Sequence, residues 1–267
     1  MKRFLTAAEQ RDRALFWHQA ADTPADPQLQ SYLDQAQRNL MATSRTAQGV
    51  IDTSASPDKA EQMHDISGDQ AANLAVQNYR DVIARAYAER NRQFGSPQEV
   101  RDFVEGMAAQ VNGGILKGPL LRQHDSDKYP YTRVKDLPAA ADDFYAQLHQ
   151  KLNDPAADPI DTAAWAEYMI NPGHHFFGDG AGKSSKALSS YILMRNGLPL
   201  PTYPGGNKEY FRNTTRRLPI GQDPQNDAES FDTFLRYYRS MMPGQQRTSR
   251  RRTAAIYDYL HFLGGQT

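Results

Sequence analysis

Apolar positions along the chain recur mostly with the period of a helix. Over 69–92, Ala72, Ala75, Val76, Tyr79, Val82, Ile83, Ala86 and Tyr87 keep i, i+3/i+4, i+7 spacing, the clearest amphipathic helix of the sequence. A looser repeat of Leu29, Leu33, Ala36 and Leu40 predicts a second helix over 28–47. Thr6 with Glu9 forms a capping box ahead of a short helix at 7–20, and Ser96-Pro97-Gln98-Glu99 forms another with Pro in the first turn. The helix opened at Ser96 stops at Gly113-Gly114. Residues 49–66 have no period and read as a loop or linker. From 115 to 134, Ile115, Leu116, Leu120, Leu121, Tyr129, Tyr131 and Val134 stand among Gly, Pro, Asp and Lys, which predicts a short hairpin or an extended flap. Helical spacing returns at 139–152, 160–170, 183–196, 227–242 and 250–262, with a Pro- and Gly-rich loop over 198–226. In the fourth of these, Phe231, Phe234, Leu235, Tyr238 and Met241 mark a core face. The expected fold is mainly α, a helical core with a short β-hairpin flap. Residues 1–66 form a helical and linker region; 67–267 form the helical domain, with a core at about 97–200 and C-terminal helices over 201–267.

Composition narrows the chemistry. The 31 Lys+Arg balance the 31 Asp+Glu, so no whole-surface grip on nucleic acid is expected. With Cys 0, disulfides, thiolate nucleophiles and iron–sulfur sites are excluded. No apolar run approaches the roughly 18 residues of a membrane helix, so no membrane partner is expected. The basic start Met1-Lys2-Arg3 meets Glu9, Arg11, Asp12 and Arg13 before any apolar stretch, unlike a secretory signal. The expected setting is a cytoplasm, including a host cytoplasm reached by an injected effector.

One segment carries chemistry: Gly173-His174-His175-Phe176-Phe177-Gly178-Asp179-Gly180-Ala181-Gly182-Lys183-Ser184-Ser185-Lys186. A glycine-rich loop running into a helix start presents backbone N–H groups and the positive end of the helix dipole to an anion. A P-loop needs Gly, four residues, then Gly-Lys-Ser/Thr; the required first position is Phe177, so that pattern fails. Adjacent histidines in an extended chain point opposite ways, so His174, His175 and Asp179 make a poor metal cluster. Ser184 and Ser185 lack any nucleophile-elbow context and suit capping or phosphate contact. The Arg247, Arg250, Arg251, Arg252 cluster reads as a solvated helix face.

The same segment resembles the Fic motif, His-x-Phe-x-Asp/Glu-Gly-Asn-Gly-Arg-x-x-Arg, through His175, Phe177, Asp179, Gly180, Ala181, Gly182, Lys183 and Lys186. The flanks are similar to that family too: a flap run from Leu121-Arg122 to Lys128-Tyr129-Pro130-Tyr131, a helix at Asp161–Tyr168, and Arg195-Asn196-Gly197-Leu198-Pro199 downstream. The resemblance implies His175 as general base toward a hydroxyl and Asp179 as ligand of a Mg²⁺ held with ATP or another nucleotide. It implies the amides of Gly180, Ala181 and Gly182 as an anion hole, with Lys183 and Lys186 on the phosphates. A flap carrying Tyr129 and Tyr131 would align the acceptor by strand addition. The partners implied are a nucleotide donor and a protein or small-molecule hydroxyl acceptor. The motif's Asn is Ala181 here, both its Arg are Lys, and Phe176 stands where the family has Pro. Lys gives a point charge where Arg gives a bidentate fork. Three readings stay open: nucleotidyl or phosphoryl transfer; a degenerate module that binds nucleotide or peptide; and sugar transfer. The last follows from a fainter resemblance of Lys183–Pro201 to AvrB-like effectors. The stretch Arg101–Gly106 nearly matches the family's inhibitory helix, but Arg101 replaces its hydroxyl residue, so Glu105 reads as a helix-pairing residue.

Overall fold

The computed structural model describes residues 26–43, 68–117, 119–126, 131–178, 180–203 and 227–243. The expected helices at 7–20 and 250–262, the 49–66 linker, the Arg247–Arg252 cluster, Tyr129 and Asp179 lie outside the described residues. Among those described, seven α-helices occur: α1 (Pro27–Thr43), α2 (Gly68–Ala88), α3 (Pro97–Val111), α4 (Leu137–Asn153), α5 (Pro159–Tyr168), α6 (Ala181–Arg195) and α7 (Ala228–Ser240).

Local chemistry accounts for several of their ends. Ser96 is extended and its Oγ accepts from Glu99 N at 3.3 Å, while the Glu99 carboxylate reaches back to Gly95 N at 3.0 Å. This is the capping box read from the sequence, with the return bond shifted by one residue. Asp158 caps α5 through Ile160 N and Asp161 N, and Asp227 caps α7 through Ser230 N.

Helix α6 is the hub, packing against α2, α3 and α5. It is buried along almost its whole length, from Ala187 and Leu188 to Tyr191, Ile192 and Met194. Ala163, Ala164 and Ala166 on α5 are fully buried, and their small size lets the two helices approach. Because α6 is enclosed, its serines are enclosed as well, and three of them find partners inside. Ser189 bonds the Tyr238 hydroxyl of α7, Ser190 bonds Tyr79 of α2, and Ser185 Oγ donates to Gly182 O at 3.1 Å. Helix α1 adds Tyr32, Ala36 and Leu40 to the same core and ties to the segment after α6 through Tyr32 to Leu198 O (3.0 Å) and Asn39 to Pro201 O (2.8 Å). Glu105 pairs with Arg101 on its own helix at 3.5 Å and accepts from Tyr145 of α4 at 3.3 Å.

Two departures from the sequence pattern shape the site. First, α5 ends not at a cap but in a π-turn, Met169–Gly173, in which His174 N donates to Met169 O at 2.8 Å. Pro172 lies inside this wider turn, and single π-turns often accompany functional positions. Second, the described residues of the expected flap are not paired with one another as strands. The one bridge between described residues joins Leu121 to Phe177, with Arg122 N donating to Phe176 O (2.8 Å) and Gly178 N to Leu120 O (3.3 Å). The flap's first limb therefore pairs antiparallel with the motif segment itself.

Candidate active site at the start of the central helix

The described parts of the motif are placed by neighbouring elements. Phe176 and Phe177 are buried, and Phe176 packs at 5.3 Å from Phe144 of α4. His174 is buried beside them, stacked on Phe176 at 4.7 Å and sharing a hydrogen bond between its Nδ1 and Thr132 Oγ1 at 2.8 Å. The adjacent histidines thus diverge: His174 is a core residue and His175 is partly exposed.

His175 has φ 55°, the sole left-handed non-glycine among the described residues. That conformation costs an L-residue about 1–2 kcal/mol and marks a position that its surroundings over-determine. Two hydrogen bonds to described residues help hold it. Its Nδ1 lies 3.0 Å from Asn171 O in the π-turn, and its own carbonyl accepts from Arg122 Nε at 3.2 Å. A carbonyl only accepts, so Nδ1 carries the proton and Nε2 is the basic nitrogen of the neutral ring. Tyr131 lies flat against the imidazole, with centroids 4.2 Å apart and planes 6° apart.

Arg122 organises the flap around this ring. Besides His175 O it donates to His124 O and Thr132 O, and its guanidinium sits 5.8 Å from the Tyr131 ring. It is buried, and burial lowers its pKa against the opposing pull of Asp125. Asp125 in turn accepts from Val134 N at 2.7 Å, a bond that holds its carboxyl below the usual range. The two limbs of the flap are joined by these side chains.

Helix α6 begins at Gly180, which has φ 82°, and its first intrahelical bond runs from Ser184 N to Gly180 O at 2.8 Å. The amides of Ala181, Gly182 and Lys183 precede that bond, so they form the N-terminal donor set of a 15-residue helix. A Cβ on Gly180 would lie 2.6 Å from the Asn112 side-chain nitrogen and 2.9 Å from its oxygen. The Asn112 carboxamide, at the end of α3, therefore lies against the loop, and that of Asn171 lies near Gly182. Lys183 is half-buried at this end.

Lys186 lies elsewhere. It is 5% exposed, with Nζ 3.3 Å from Gly182 O, 3.9 Å from Glu167 Oε1 of α5 and 5.5 Å from the Tyr203 ring centre. Glu167 is fully buried, and the Tyr203 hydroxyl reaches its two oxygens at 2.9 and 2.8 Å. Burial pulls the Lys186 pKa down, opposed by Glu167.

The structure therefore brings His175, Tyr131, Gly180, Ala181, Gly182 and Lys183 to one end of α6 and directs Lys186 inward. Among the described residues no three His, Asp or Glu side chains converge on a point, and no helix is long and apolar enough to cross a membrane. A Mg²⁺ bound with a nucleotide needs few protein ligands, because phosphate oxygens and water supply the rest. In the sequence Asp179 stands between Gly178 and Gly180, shortly after the bridged Phe177. Asn112 carries no motif signal of its own, and the contacts that Arg122 and Glu167 make here join segments far apart in the chain.

No family model and no curated protein matches the sequence. Solved structures do. A Fic-domain-containing signaling protein from Bacteroides thetaiotaomicron superposes with a TM-score of 0.57 at 13% identity, over 86% of this chain and 91% of that one. IbpA Fic2 in complex with adenylylated Cdc42 gives 0.47 at 13% identity, over 78% and 62%. C. elegans Fic-1 gives 0.45 at 17% identity, over 95% and 79%.

Proposed function

We propose, taking the Fic fold as premise, that this chain is a transferase moving a nucleotidyl or phosphoryl group from an Mg-nucleotide to a hydroxyl on a protein or small molecule. The observation that carries the reading is the His175 ring: Nδ1 lies on Asn171 O, which leaves Nε2 as the base, at the mouth of the helix that would hold phosphate. In the proposed step the acceptor hydroxyl gives its proton to His175 Nε2. Its oxygen forms a bond to phosphorus as the opposite P–O bond breaks, and the leaving phosphate takes that electron pair. The amides at the start of α6 and Lys183 take up charge on the phosphoryl oxygens. Asp179 would hold Mg²⁺, which supplies charge neutralisation on the phosphates. Tyr131 would keep the imidazole in its plane and screen one face from water. The flap limb at 120–122, paired with 176–178, would present its other side to an extended acceptor.

The test is a donor screen by intact-protein mass spectrometry. Wild type and His175→Ala are incubated with Mg²⁺ and ATP, UTP, GTP, CTP or nucleotide-sugars, with and without a lysate as acceptor source. The expected result is a mass gain that names the transferred group and a rate about 10²–10⁴ lower for His175→Ala. Equal transfer by both proteins would remove His175 as the base. Nucleotide bound and never transferred would support the binding-module reading, and product from a nucleotide-sugar the glycosyl reading.

A further inference from the structure

We infer that the Asn171 side chain is a phosphate-binding residue of this site, facing Gly182 across a slot that takes a phosphate oxygen. The inference rests on the nucleotide reading above and adds a binding residue to it. Gly182 is the second residue of α6 and, unlike Gly180, does not have a left-handed backbone. A Cβ placed on it would lie 3.7 Å from Asn171 Nδ2 and 3.9 Å from both Cγ and Oδ1, all ordinary van der Waals distances. Among the described residues, neither backbone conformation nor space therefore calls for a glycine here, and within a helix glycine is less stable than alanine. What the absent methyl leaves is room between the donor amide of Gly182 and the Asn171 carboxamide. A glycine so placed lets a ligand come close to the backbone. Asn171, His175, Gly182 and Lys183 are each half-buried, whereas Gly180, Ala181 and Ser184 beside them are buried. Ala181, where the motif carries its Asn, is 2% exposed and packed in the core, so a side chain there points inward. The carboxamide against Gly182 comes instead from the π-turn. Its N–H groups can donate to a phosphate oxygen without adding charge. The carbonyl of the same residue lies 3.0 Å from His175 Nδ1, so Asn171 would fix the base and the phosphate relative to one another.

The test uses the full chain in two arms: isothermal titration calorimetry against the Mg²⁺ complexes of ATP, UTP, GTP and CTP, and thermal unfolding without ligand. Gly182→Ala fills the slot with a methyl. Asn171→Leu keeps most of the volume and removes the amide, and Asn171→Ala removes it with less bulk. All three variants retain the backbone carbonyl that faces His175. For the nucleotide that binds, each is expected to weaken affinity at least about fivefold, the scale of one hydrogen bond to a charged group. Without ligand, Gly182→Ala is expected to keep Tm or raise it by up to about 4 °C. A loss of affinity below about fivefold in any of the three overturns the inference and leaves the nucleotide reading standing. A Tm lowered by Gly182→Ala shows that the fold itself needs the glycine, and overturns the inference by a route independent of nucleotide. Wild type that binds none of the four overturns both the inference and the nucleotide reading.

Discussion

His175 and Gly180 both adopt left-handed backbone, with φ 55° and φ 82°, and only one of them is a glycine. The difference is what each conformation serves. At His175 the strain aims an imidazole between Tyr131 and the π-turn, and the bonds to Asn171 O and Arg122 hold it there. At Gly180 the turn must bring backbone against a buried carboxamide, where a Cβ has no room. Gly180→Ala is therefore expected to cost about 2–4 kcal/mol, from the left-handed penalty and from crowding Asn112. Adding Asn112→Ala should recover the crowding part alone, and urea unfolding of the wild type, both singles and the double measures it. A double variant recovering nothing would mean that Asn112 does not limit the space at Gly180.

At the scale of elements, side chains tie together the described parts of the flap. Arg122 donates to the carbonyls of His124, Thr132 and His175, and Asp125 fastens Val134. Arg122→Met keeps much of the apolar stem and removes every donor. Three carbonyls would lose their charged partner, so stability should fall by about 2–4 kcal/mol, less than the sum of the separate bonds because water enters the opened flap. Hydrogen exchange should quicken at the Arg122 and Gly178 amides while the core amides of α6 change only with global stability. Unchanged protection at those two amides would mean that the Leu121–Phe177 bridge stands without the guanidinium. The sequence marks 115–134 as a hairpin or extended flap, and its described residues before Val134 are non-helical. It does not show that the pairing partner is the motif, because that register depends on where α5 and its π-turn deliver residues 176–178.

For the whole molecule, the core holds several fully buried tyrosines. Tyr79, Tyr145 and Tyr238 are buried, and burial in each case is the main cause of a pKa raised well above 10, aided by Glu167 near Tyr79 and Tyr238 and by Glu105 near Tyr145. The sign follows from linkage. A group whose folded pKa is raised stabilises the fold fully below the unfolded value of about 10, and that contribution is lost as pH rises beyond it. Each such tyrosine therefore removes roughly 1.4 kcal/mol of stability per pH unit above about 10. Spectrophotometric titration at pH 10–12 should show part of the tyrosine signal appearing only with cooperative unfolding, followed in parallel by far-UV circular dichroism. Smooth ionisation of all tyrosines ahead of unfolding would contradict this packing.

Periodicity and capping chemistry are local, which is why Ser96, Pro97 and Glu99 mark the start of α3, and why Phe234, Tyr238 and Met241 mark the buried face of α7 from the sequence alone. The motif spacing likewise places the glycine-rich loop at the start of α6, since a loop entering a helix is a local arrangement. What the sequence could not decide is which polar side chain faces outward. Lys183 and Lys186 are three residues apart on one helix and look alike in the motif, yet α6 is enclosed by α2, α3 and α5, and Lys186 turns inward toward Glu167 of α5, Gly182 O and Tyr203. The same holds for Asn112 and Arg122, whose roles arise from contacts between segments far apart in the chain. Charge and hydrogen-bond partners across the fold, unlike helical period, are properties of the packed molecule and have no local signature.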